Sequence, residues 1–301
     1  METATVISII NMKGGVGKTT VSINLANALS MKKKNVLVID TDPQFNSTQS
    51  LLLHKAIMDS KNGSSVDEKE KLSAEYYTEL SQQGKTIMQV YDPTFASAPL
   101  ENPSLVHKIK DHLDLIPGDL RLASTVAGDT SNKVAILEDH LEKNNLLSKY
   151  NYIIIDCPPT WTILTHSSLY ASKYYLIPSK IDLYSSLGIQ LLEEQISSKI
   201  TTDSMYKKTG KTLNNLGVLF TMVNSNNTSN QRKQDIKDNF KERLSFFDVE
   251  IPFFPSAATN YLLYEEKRGH ETYVALLNSM DKFVLEIEAA IKKSEDVIYV
   301  E

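Results

Sequence analysis

The sequence predicts an α/β fold in which a mostly parallel, twisted sheet carries helices on both faces. Short apolar segments alternate with helical stretches along the chain, a pattern typical of parallel strands joined by crossover helices. Glycine-rich or acidic turns directly follow three of these segments, and such sheets bind ligands where the strands end. We therefore expect one domain over residues 1–301, with its functional site at the carboxyl edge of the sheet.

The composition fits a globular protein of this size. The 301 residues are 41% hydrophobic and 23% charged, which suffices for one large core. No apolar run approaches the roughly 18 to 20 residues that a membrane-spanning helix needs, and the first predicted strand begins without a preceding signal region. We therefore expect a cytoplasmic protein that has no membrane partner.

The cysteine count and the net charge exclude further classes. Cys157 is the single cysteine of the sequence, which excludes an internal disulfide and any metal or iron–sulfur site built from several thiolates of one chain. The formal net charge of −5 argues against binding nucleic acid through overall charge. A nucleic-acid contact would therefore need a local basic patch.

The first strand, predicted over residues 5–10, leads into a glycine-rich loop and then into a helix over residues 19–29. Glycines let successive backbone N–H groups point at a phosphate, which side chains would obstruct. Lys18 then meets the outer phosphates, the hydroxyl of Thr19 completes a magnesium shell, and the positive end of the helix dipole faces the anion. The sequence thus predicts a site for a magnesium nucleoside triphosphate, formed by Lys13, Gly14, Gly15, Val16, Gly17, Lys18, Thr19 and Thr20.

The second strand, predicted over residues 35–40, delivers Asp40 and Asp42 beside this loop. An acid pair after a strand is often only a turn or helix-cap feature. Its position next to Lys18 favours catalysis here, because phosphoryl transfer depends on positioning and charge neutralisation. We expect Asp42 to orient the attacking water and accept its proton, while Asp40 supports the metal shell.

The segment 59–86 interrupts the alternation of strands and helices. It is rich in Asp, Glu, Lys, Ser and Gln, and we interpret it as a charged, solvated and partly helical insertion. No catalytic pattern is visible in it. The sequence therefore leaves the role of this insertion open.

Four later strands are predicted over residues 113–117, 152–156, 174–178 and 216–223. The apolar run before Asp156 is closed by that single acid, as a Walker B strand requires, and we expect Asp156 to hold magnesium through its waters. Cys157 follows and is interpreted as buried and inert. An apolar stripe with alternating spacings of four and three residues predicts a C-terminal helix over residues 271–293 that packs on the sheet.

A basic stripe lies between residues 231 and 244. Lys233, Lys237 and Lys241 recur every four residues and would share one face of a helix, with Arg232 and Arg243 nearby. Five positive charges against three negative ones leave a local charge of +2. Such stripes are most often solvated faces, so the segment alone does not decide between that role and contact with DNA phosphates.

Three motifs together resemble the ParA partition ATPases. They are the loop at residues 13–20 with its second lysine, the acidic segment 40–48 and the strand end 155–159. Their spacing also matches, and the chain is similar to the short class, because its first strand begins too early for an N-terminal helix-turn-helix region. The insertion has no clear counterpart in the family. Weaker matches, which extend the resemblance over about residues 3 to 280, lie at 115–117, 176–178, 186–188 and 217–224.

The resemblance implies an ATPase that uses ATP and Mg²⁺ and forms a homodimer with two ATP molecules between its subunits. Lys13 of each subunit would reach the phosphates of the other, as an arginine finger does. The ATP-bound dimer would bind nonspecific DNA on the nucleoid, and a ParB-type centromere-binding protein would stimulate hydrolysis and release. The resemblance also places Asn224 near the adenine and favours DNA contact by the basic residues Arg232, Lys233, Lys237, Lys241 and Arg243.

Other ATPases share the loop. MinD-type division-site ATPases end in a basic amphipathic helix, whereas three acids within residues 294–301 would be repelled by an anionic bilayer. Nitrogenase-type reductases and iron–sulfur scaffold ATPases need paired cysteines, and kinases with this loop carry tyrosine-rich tails, whereas Tyr299 stands alone. A MinD-like or other cargo-positioning switch on a membrane or protein surface stays the alternative, beside a slow nucleotide-gated interaction module and a biosynthetic ligase.

Overall fold

The computed structural model describes residues 3–60, 64–95, 104–125, 133–224, 227–254, 263–267, 269 and 271–298. Within these residues, one sheet of seven strands has the order β3-β4-β2-β5-β1-β6-β7. Every pair of neighbouring strands is parallel except β3 with β4. The strands are β1 (Thr5–Ile9), β2 (Val36–Asp40), β3 (His107–Lys110), β4 (Leu113–Ile116), β5 (Tyr152–Asp156), β6 (Tyr174–Ser179) and β7 (Asn214–Phe220).

Helices connect these strands and cover the sheet. The longer ones are α1 (Lys18–Met31), α2 (Asn46–Asp59), α3 (Val66–Gln82), α6 (Ile136–Lys143), α8 (Ile163–Tyr170), α9 (Ser185–Ile196), α11 (Asn227–Phe240) and α12 (Val274–Ile298). The shorter ones are α4 (Met88–Tyr91), α5 (Leu122–Thr125), α7 (Leu146–Lys149) and α10 (Ser204–Lys208), with a π-helical turn over Ser197–Thr201 and 3₁₀ turns over Pro93–Phe95, Tyr264–Lys267 and Glu271–Tyr273.

The central strands are apolar on both sides because each side faces a helical layer. In β1, Ile7 and Ile9 belong to one buried cluster while Val6 belongs to the other. Buried residues of α1 and α12 complete the first cluster, and those of α8 and α9 complete the second. The alternation follows from the period of two in a strand. The predicted fold class, a mostly parallel sheet with helices on both faces, is confirmed.

The edge strand β3 and the bounds of the C-terminal helix differ from the sequence prediction, whereas the helix within the insertion agrees with it. The edge strand β3 was not predicted, because its sequence His-Lys-Ile-Lys buries only Ile109. Part of the predicted insertion 59–86 forms the long helix α3, which a Ser65–Glu68 capping box begins. The C-terminal helix begins later and ends later than residues 271–293. Residues 61–63 and Tyr299 lie outside the described part of the chain, and a single domain over residues 1–301 stays a prediction.

The turn after β4 packs directly against the end of β2 and the segment that follows it. Gly118 packs so closely there that a Cβ atom on it would lie 2.8 Å from Cβ of Phe45 and 3.0 Å from Cγ of Asp40. Its backbone N–H also donates to Oγ1 of Thr48 at 2.7 Å. Glycine at this position is therefore required by the close approach of the two turns.

We expect Gly118→Ala to lower the free energy of unfolding by about 1–3 kcal/mol, since two tightly packed turns must separate to accept the methyl group. Urea denaturation of the nucleotide-free protein measures this change. Gly188→Ala is the matched control, because a Cβ there meets nothing within 4 Å and the substitution within α9 favours the helix by about 0.5–1 kcal/mol. Equal stability of the two variants would contradict the close packing.

Candidate nucleotide-binding site

The glycine-rich loop lies between β1 and α1 at the carboxyl edge of the sheet. Nδ2 of Asn11 donates to the carbonyl oxygen of Pro178 at 2.8 Å, and Oγ1 of Thr221 donates to the carbonyl oxygen of Val16 at 2.7 Å. Gly17 has a φ of 83°, a left-handed value that glycine adopts without strain. The ends of β6 and β7 thus anchor a loop whose exposed or half-buried positions include Gly14, Gly15 and Thr20.

Lys18 lies buried within the curve of this loop. Its Nζ donates to the carbonyl oxygen of Lys13 at 3.2 Å, and the residue is 7% exposed. Burial lowers the pKa of Lys18, while the charges of Asp156 and Asp42 act in the opposite direction. A cation enclosed by backbone amides and facing acids is suited to bind the outer phosphates of a nucleotide.

Three hydroxyl groups hold the carboxylate of Asp156 at the end of β5. Its Oδ2 accepts from Oγ1 of Thr19 at 2.8 Å and from Oγ of Ser47 at 2.6 Å, and its Oδ1 accepts from Oγ of Ser22 at 3.1 Å. The loop hydroxyl and the strand-end acid therefore meet, and their binding of magnesium stays a prediction. Ser22 and Ser47 were not predicted as site residues, because a serine in the first turns of a helix is too common a feature to indicate a role.

Asp40 is engaged at the beginning of α2. Its Oδ2 accepts from the backbone N–H and from Oγ1 of Thr48, both at 2.8 Å, and its Oδ1 accepts from the N–H of Asp42 at 3.2 Å. These bonds place a carboxylate at a helix N-terminus, where the dipole favours negative charge. The structure thus gives Asp40 the cap role that the sequence left open, and its support of a metal shell stays a prediction.

Asp42 lies between the loop lysine and the start of α2. Its Oδ1 accepts from the backbone N–H of Gln44 at 2.9 Å, and the residue is 8% exposed. Burial raises the pKa of Asp42, and the hydrogen bond from Gln44 and the charge of Lys18 only partly offset that effect. A carboxylate with a raised pKa is a better proton acceptor, which suits the role that we expect for Asp42.

Asp40, Asp42 and Asp156 are all buried at the carboxyl edge of the sheet, where a bound cation would stabilise their negative charges. Burial raises the pKa of both Asp40 and Asp156. The charges of Asp156 and Asp42 raise the pKa of Asp40 further, and the charge of Asp42 raises that of Asp156. In the described part of the chain, no group of three or more His, Cys, Asp or Glu side chains is arranged to hold a metal ion alone. Mg²⁺ does not need one, because it keeps waters and phosphate oxygens as ligands. The hard oxygens of Thr19 and Asp156, 2.8 Å apart, fit that ion.

Lys13 forms an ion pair with Asp182, which follows β6, and each side chain is about one third exposed (34% and 35%). Burial alone would raise the pKa of Asp182, but hydrogen bonds from Lys13 and Ser185 lower it. Asp182 was not predicted, because the pairing joins residues that are 169 positions apart. The pair holds Lys13 toward the edge of the site, and its action on a second subunit stays a prediction.

Asn224 is exposed and lines a cavity of about 220 Å³ with Lys180, Met222 and Phe253. Met222 and Phe253 also border a smaller cavity beside Gly17. Asn224 therefore lies on the β7 side of the phosphate loop. Its contact with adenine stays a prediction.

The basic stripe differs from the predicted helix over residues 231–244. Helix α11 ends at Phe240, because a turn brings the N–H of Arg243 to the Phe240 carbonyl oxygen at 2.8 Å. Lys241 and Arg243 therefore lie beyond the helix and are exposed. Nζ of Lys233 lies 2.6 Å from Oε1 of Glu250, while the half-buried Arg232 and Lys237 lie on the helix.

Sequence comparison relates the chain to proteins of chromosome partitioning. Residues 4–208 match the AAA_31 family, described as an AAA domain. The chain is 30% identical to the sporulation initiation inhibitor protein Soj of Bacillus subtilis over 90% of this chain and 96% of that protein. It is 29% identical to the chromosome partitioning protein ParA of Myxococcus xanthus over 90% of this chain and 86% of that protein.

A solved structure with a similar fold carries a nucleotide. It is described as cobyrinic acid a,c-diamide synthase from Mycobacterium smegmatis with bound ATP analogue and magnesium, and it matches with a TM-score of 0.65 and 22% identity over 93% of this chain and 92% of that chain. At this identity the likeness shows the fold alone, because one fold serves several chemistries.

Among the helices of the described ranges, none combines the length and the apolar character that crossing a bilayer requires.

We expect an Asp42→Asn variant to gain stability relative to the wild type as the pH rises from about 4 to about 8. Because burial raises the pKa of Asp42, the folded protein binds this proton more tightly than the unfolded chain, so ionisation costs stability as the pH rises through the folded pKa. Asparagine keeps the acceptor for Gln44 without the charge. Urea denaturation of the nucleotide-free protein across this range measures the difference.

Asp111→Asn serves as the control for this comparison. Asp111 is exposed, and the hydrogen bond and charge of Lys108 lower its pKa, so its pH-dependent difference should be small and opposite in sign. If Asp42→Asn and the wild type showed the same dependence on pH, the buried charge assigned to Asp42 would be wrong.

Proposed function

This chain belongs to the ParA family of partition ATPases, and from that premise we propose that it is an ATP-dependent DNA segregation protein. The proposal rests on one observation above all. The carboxylate of Asp156 meets the hydroxyl of Thr19 beside a buried Lys18 and a strand-end Asp42. This set contains the groups that phosphoryl transfer requires, namely a phosphate cradle, a metal-binding pair and an acid near the phosphates.

In the proposed reaction, water attacks the γ-phosphorus of ATP and ADP leaves. Lys18 and the N–H groups of the loop hold the phosphates, while Asp42 orients the water and accepts its proton. Mg²⁺, held by Thr19 and through waters by Asp156, would neutralise the charge on the phosphate oxygens. Asp40 keeps Asp42 in place through the N–H of Asp42.

An exposed apolar stripe supports a homodimer as the ATP-bound form. Leu183 and Tyr184 follow Asp182, and Leu187 and Leu191 continue along α9, with 69%, 65%, 54% and 48% of their surfaces exposed. Large exposed apolar patches are typical of interaction sites. Since the stripe begins beside the Lys13–Asp182 pair, a second subunit seated on it would bring its own Lys13 near this nucleotide.

The proposed cycle couples this dimer to DNA. The ATP-bound dimer binds nonspecific DNA on the nucleoid through phosphate contacts, which the exposed Lys241 and Arg243 are placed to make. A ParB-type centromere-binding protein then stimulates slow hydrolysis and releases the dimer, so that repeated cycles position plasmid or chromosome copies. The 30% identity to Soj and the 29% identity to a ParA protein support this assignment.

A second candidate is a MinD-like or other cargo-positioning switch that acts on a membrane or protein surface. The exposed apolar stripe on α9 is the observation that favours it, because such a stripe fits a protein partner as well as a second subunit. Both candidates share the nucleotide chemistry and differ in the surface that the ATP-bound form recognises.

The deciding experiment measures binding to nonspecific duplex DNA with Mg-ATP, with Mg-ADP and without nucleotide. We expect binding with ATP only, and we expect it to persist in Asp42→Ala, which keeps the phosphate cradle but lacks the acid that activates water. A Lys241→Ala/Arg243→Ala variant should bind more weakly and with a salt slope lower by about 1 for each lost phosphate contact.

Lys233→Ala is the matched control for the basic residues, because Lys233 is already paired with Glu250 and should contribute less to DNA binding. Vesicles that contain anionic lipid form a parallel arm of the same assay. Absence of DNA binding in every nucleotide state would contradict the partition function, and ATP-dependent binding to the vesicles instead would favour the MinD-like candidate.

A further inference from the structure

Phe45, three residues after Asp42, has an unfavourable backbone conformation. Phe45 caps the beginning of α2 with φ 40° and ψ 37°, in the left-handed region. A bulky side chain rarely adopts this region, and such a conformation persists only where the surroundings enforce it. The N–H of Phe45 donates to the carbonyl oxygen of Asp42 at 2.8 Å. The conformation of Phe45 is therefore tied to the position of Asp42.

The ring of Phe45 stacks on a ring from the insertion. The centroids of Phe45 and Tyr77 lie 4.8 Å apart with an angle of 9° between the ring planes. Tyr77 belongs to α3, which packs against α2. A close, nearly parallel contact of this kind fixes the relative position of two aromatic side chains.

Tyr77 also lies close to the turn at residues 119–121. Burial and the charge of Asp119 raise the pKa of Tyr77 to about 12, so its hydroxyl group lies close to the turn that contains Asp119. Asp119 in turn accepts from Oγ1 of Thr86 at 2.7 Å and pairs with Arg121 at 2.6 Å. Tyr77 therefore lies between the turn at Asp119, which these two contacts stabilise, and the ring of Phe45.

The turn that contains Asp119 also contains Gly118, which packs directly against Phe45 and Asp40. Gly118 leaves no room for a Cβ atom between itself, Phe45 and Asp40. Phe45 is thus enclosed by the ring of Tyr77 on one side and by the turn at Gly118 on the other. The unfavourable conformation of Phe45 is retained by these two contacts.

We infer that Tyr77 of the inserted helix is a positioning residue for ATP hydrolysis, acting through its stack on Phe45 to hold Asp42 in the geometry that water activation requires. This inference rests on the proposed ATPase function and assigns a role to the insertion 59–86. It predicts an effect on the chemical step rather than on nucleotide binding, since Lys18, Thr19 and the loop lie on other elements.

The test compares kcat and KM for ATP, in the presence of DNA and magnesium, among the full-length wild type, Tyr77→Ala, Tyr77→Phe and Tyr76→Ala. We expect Tyr77→Ala to lower kcat about tenfold and to change KM less than about twofold, because small displacements of a catalytic group cost rate rather than binding. Tyr77→Phe keeps the ring and should retain the wild-type kcat. Thermal melting of each variant establishes that it is folded.

Tyr76→Ala is the matched control on the same helix. Its hydroxyl donates to Asp59 at 2.8 Å and its ring lies near Lys55, so it stabilises α3 without touching Phe45. It should leave kcat unchanged. A fall in kcat equal to that of Tyr77→Ala would overturn the inference, since it would indicate a general effect of α3 stability.

Phe45→Gly separates the ring from the backbone. Glycine adopts the left-handed conformation without strain, so a kcat equal to the wild type would show that the stack does not matter. We expect a lower kcat, and we expect Tyr77→Ala to lower it no further in the double variant.

Three further results would each overturn the inference. They are a wild-type kcat in Tyr77→Ala, a raised KM with unchanged kcat, and a Tyr77→Phe variant as slow as Tyr77→Ala. A wild-type protein that fails to hydrolyse ATP at all would instead contradict the proposed function, and the inference with it.

Discussion

A single buried carboxylate, that of Asp156, is the constraint on which the rest of the site depends. Asp156 ends β5, which lies between β2 and β1 near the middle of the sheet. It accepts hydrogen bonds from Thr19 and Ser22 of α1 and from Ser47 of α2. Each hydrogen bond to a charged group contributes about 1.5–3 kcal/mol. Together they offset part of the cost of removing the carboxylate from water, and burial still raises the pKa of Asp156. The beginnings of two helices are thereby fixed around one charge.

This arrangement leaves the site ready for a cation and a polyphosphate. The hydroxyl groups satisfy the oxygens of Asp156 but do not cancel its charge, and Asp40 adds a second buried negative charge nearby. Lys18 supplies positive charge at the loop, where burial lowers its own pKa. Mg²⁺ with a nucleotide would balance both sets of charges. In the proposed mechanism the three acids would have separate roles, with Asp156 at the metal and Asp42 at the attacking water, while Asp40 accepts hydrogen bonds at the start of α2.

Much of the fold and site could be predicted from the sequence because the signals are local. The glycine-rich loop, Asp40, Asp42 and Asp156 each sit at the end of an apolar segment, and parallel strands bring such ends to one edge. The β3 strand could not be predicted, since an edge strand with one buried residue lacks an apolar pattern. The Lys13–Asp182 pair and the Phe45–Tyr77 stack depend on tertiary contacts that no local pattern records.

The basic segment illustrates the same limit. A spacing of four residues predicted one helical face, but burial of Phe240 and Leu244 turns the chain at the end of α11. Packing of apolar residues therefore determines where the helix ends, and charge periodicity does not. The exposed cations gather in the turn after α11 instead of along it.

The proposed function requires that ATP binding convert the protein from a monomer into a dimer. Light scattering after size-exclusion chromatography measures it directly, using Asp42→Ala so that ATP is not consumed. With Mg-ATP we predict a mass twice the 33.8 kDa of the chain, and with Mg-ADP or no nucleotide we predict the monomer mass. The same mass in all three states, with ATP shown to be bound, would contradict a switch driven by ATP.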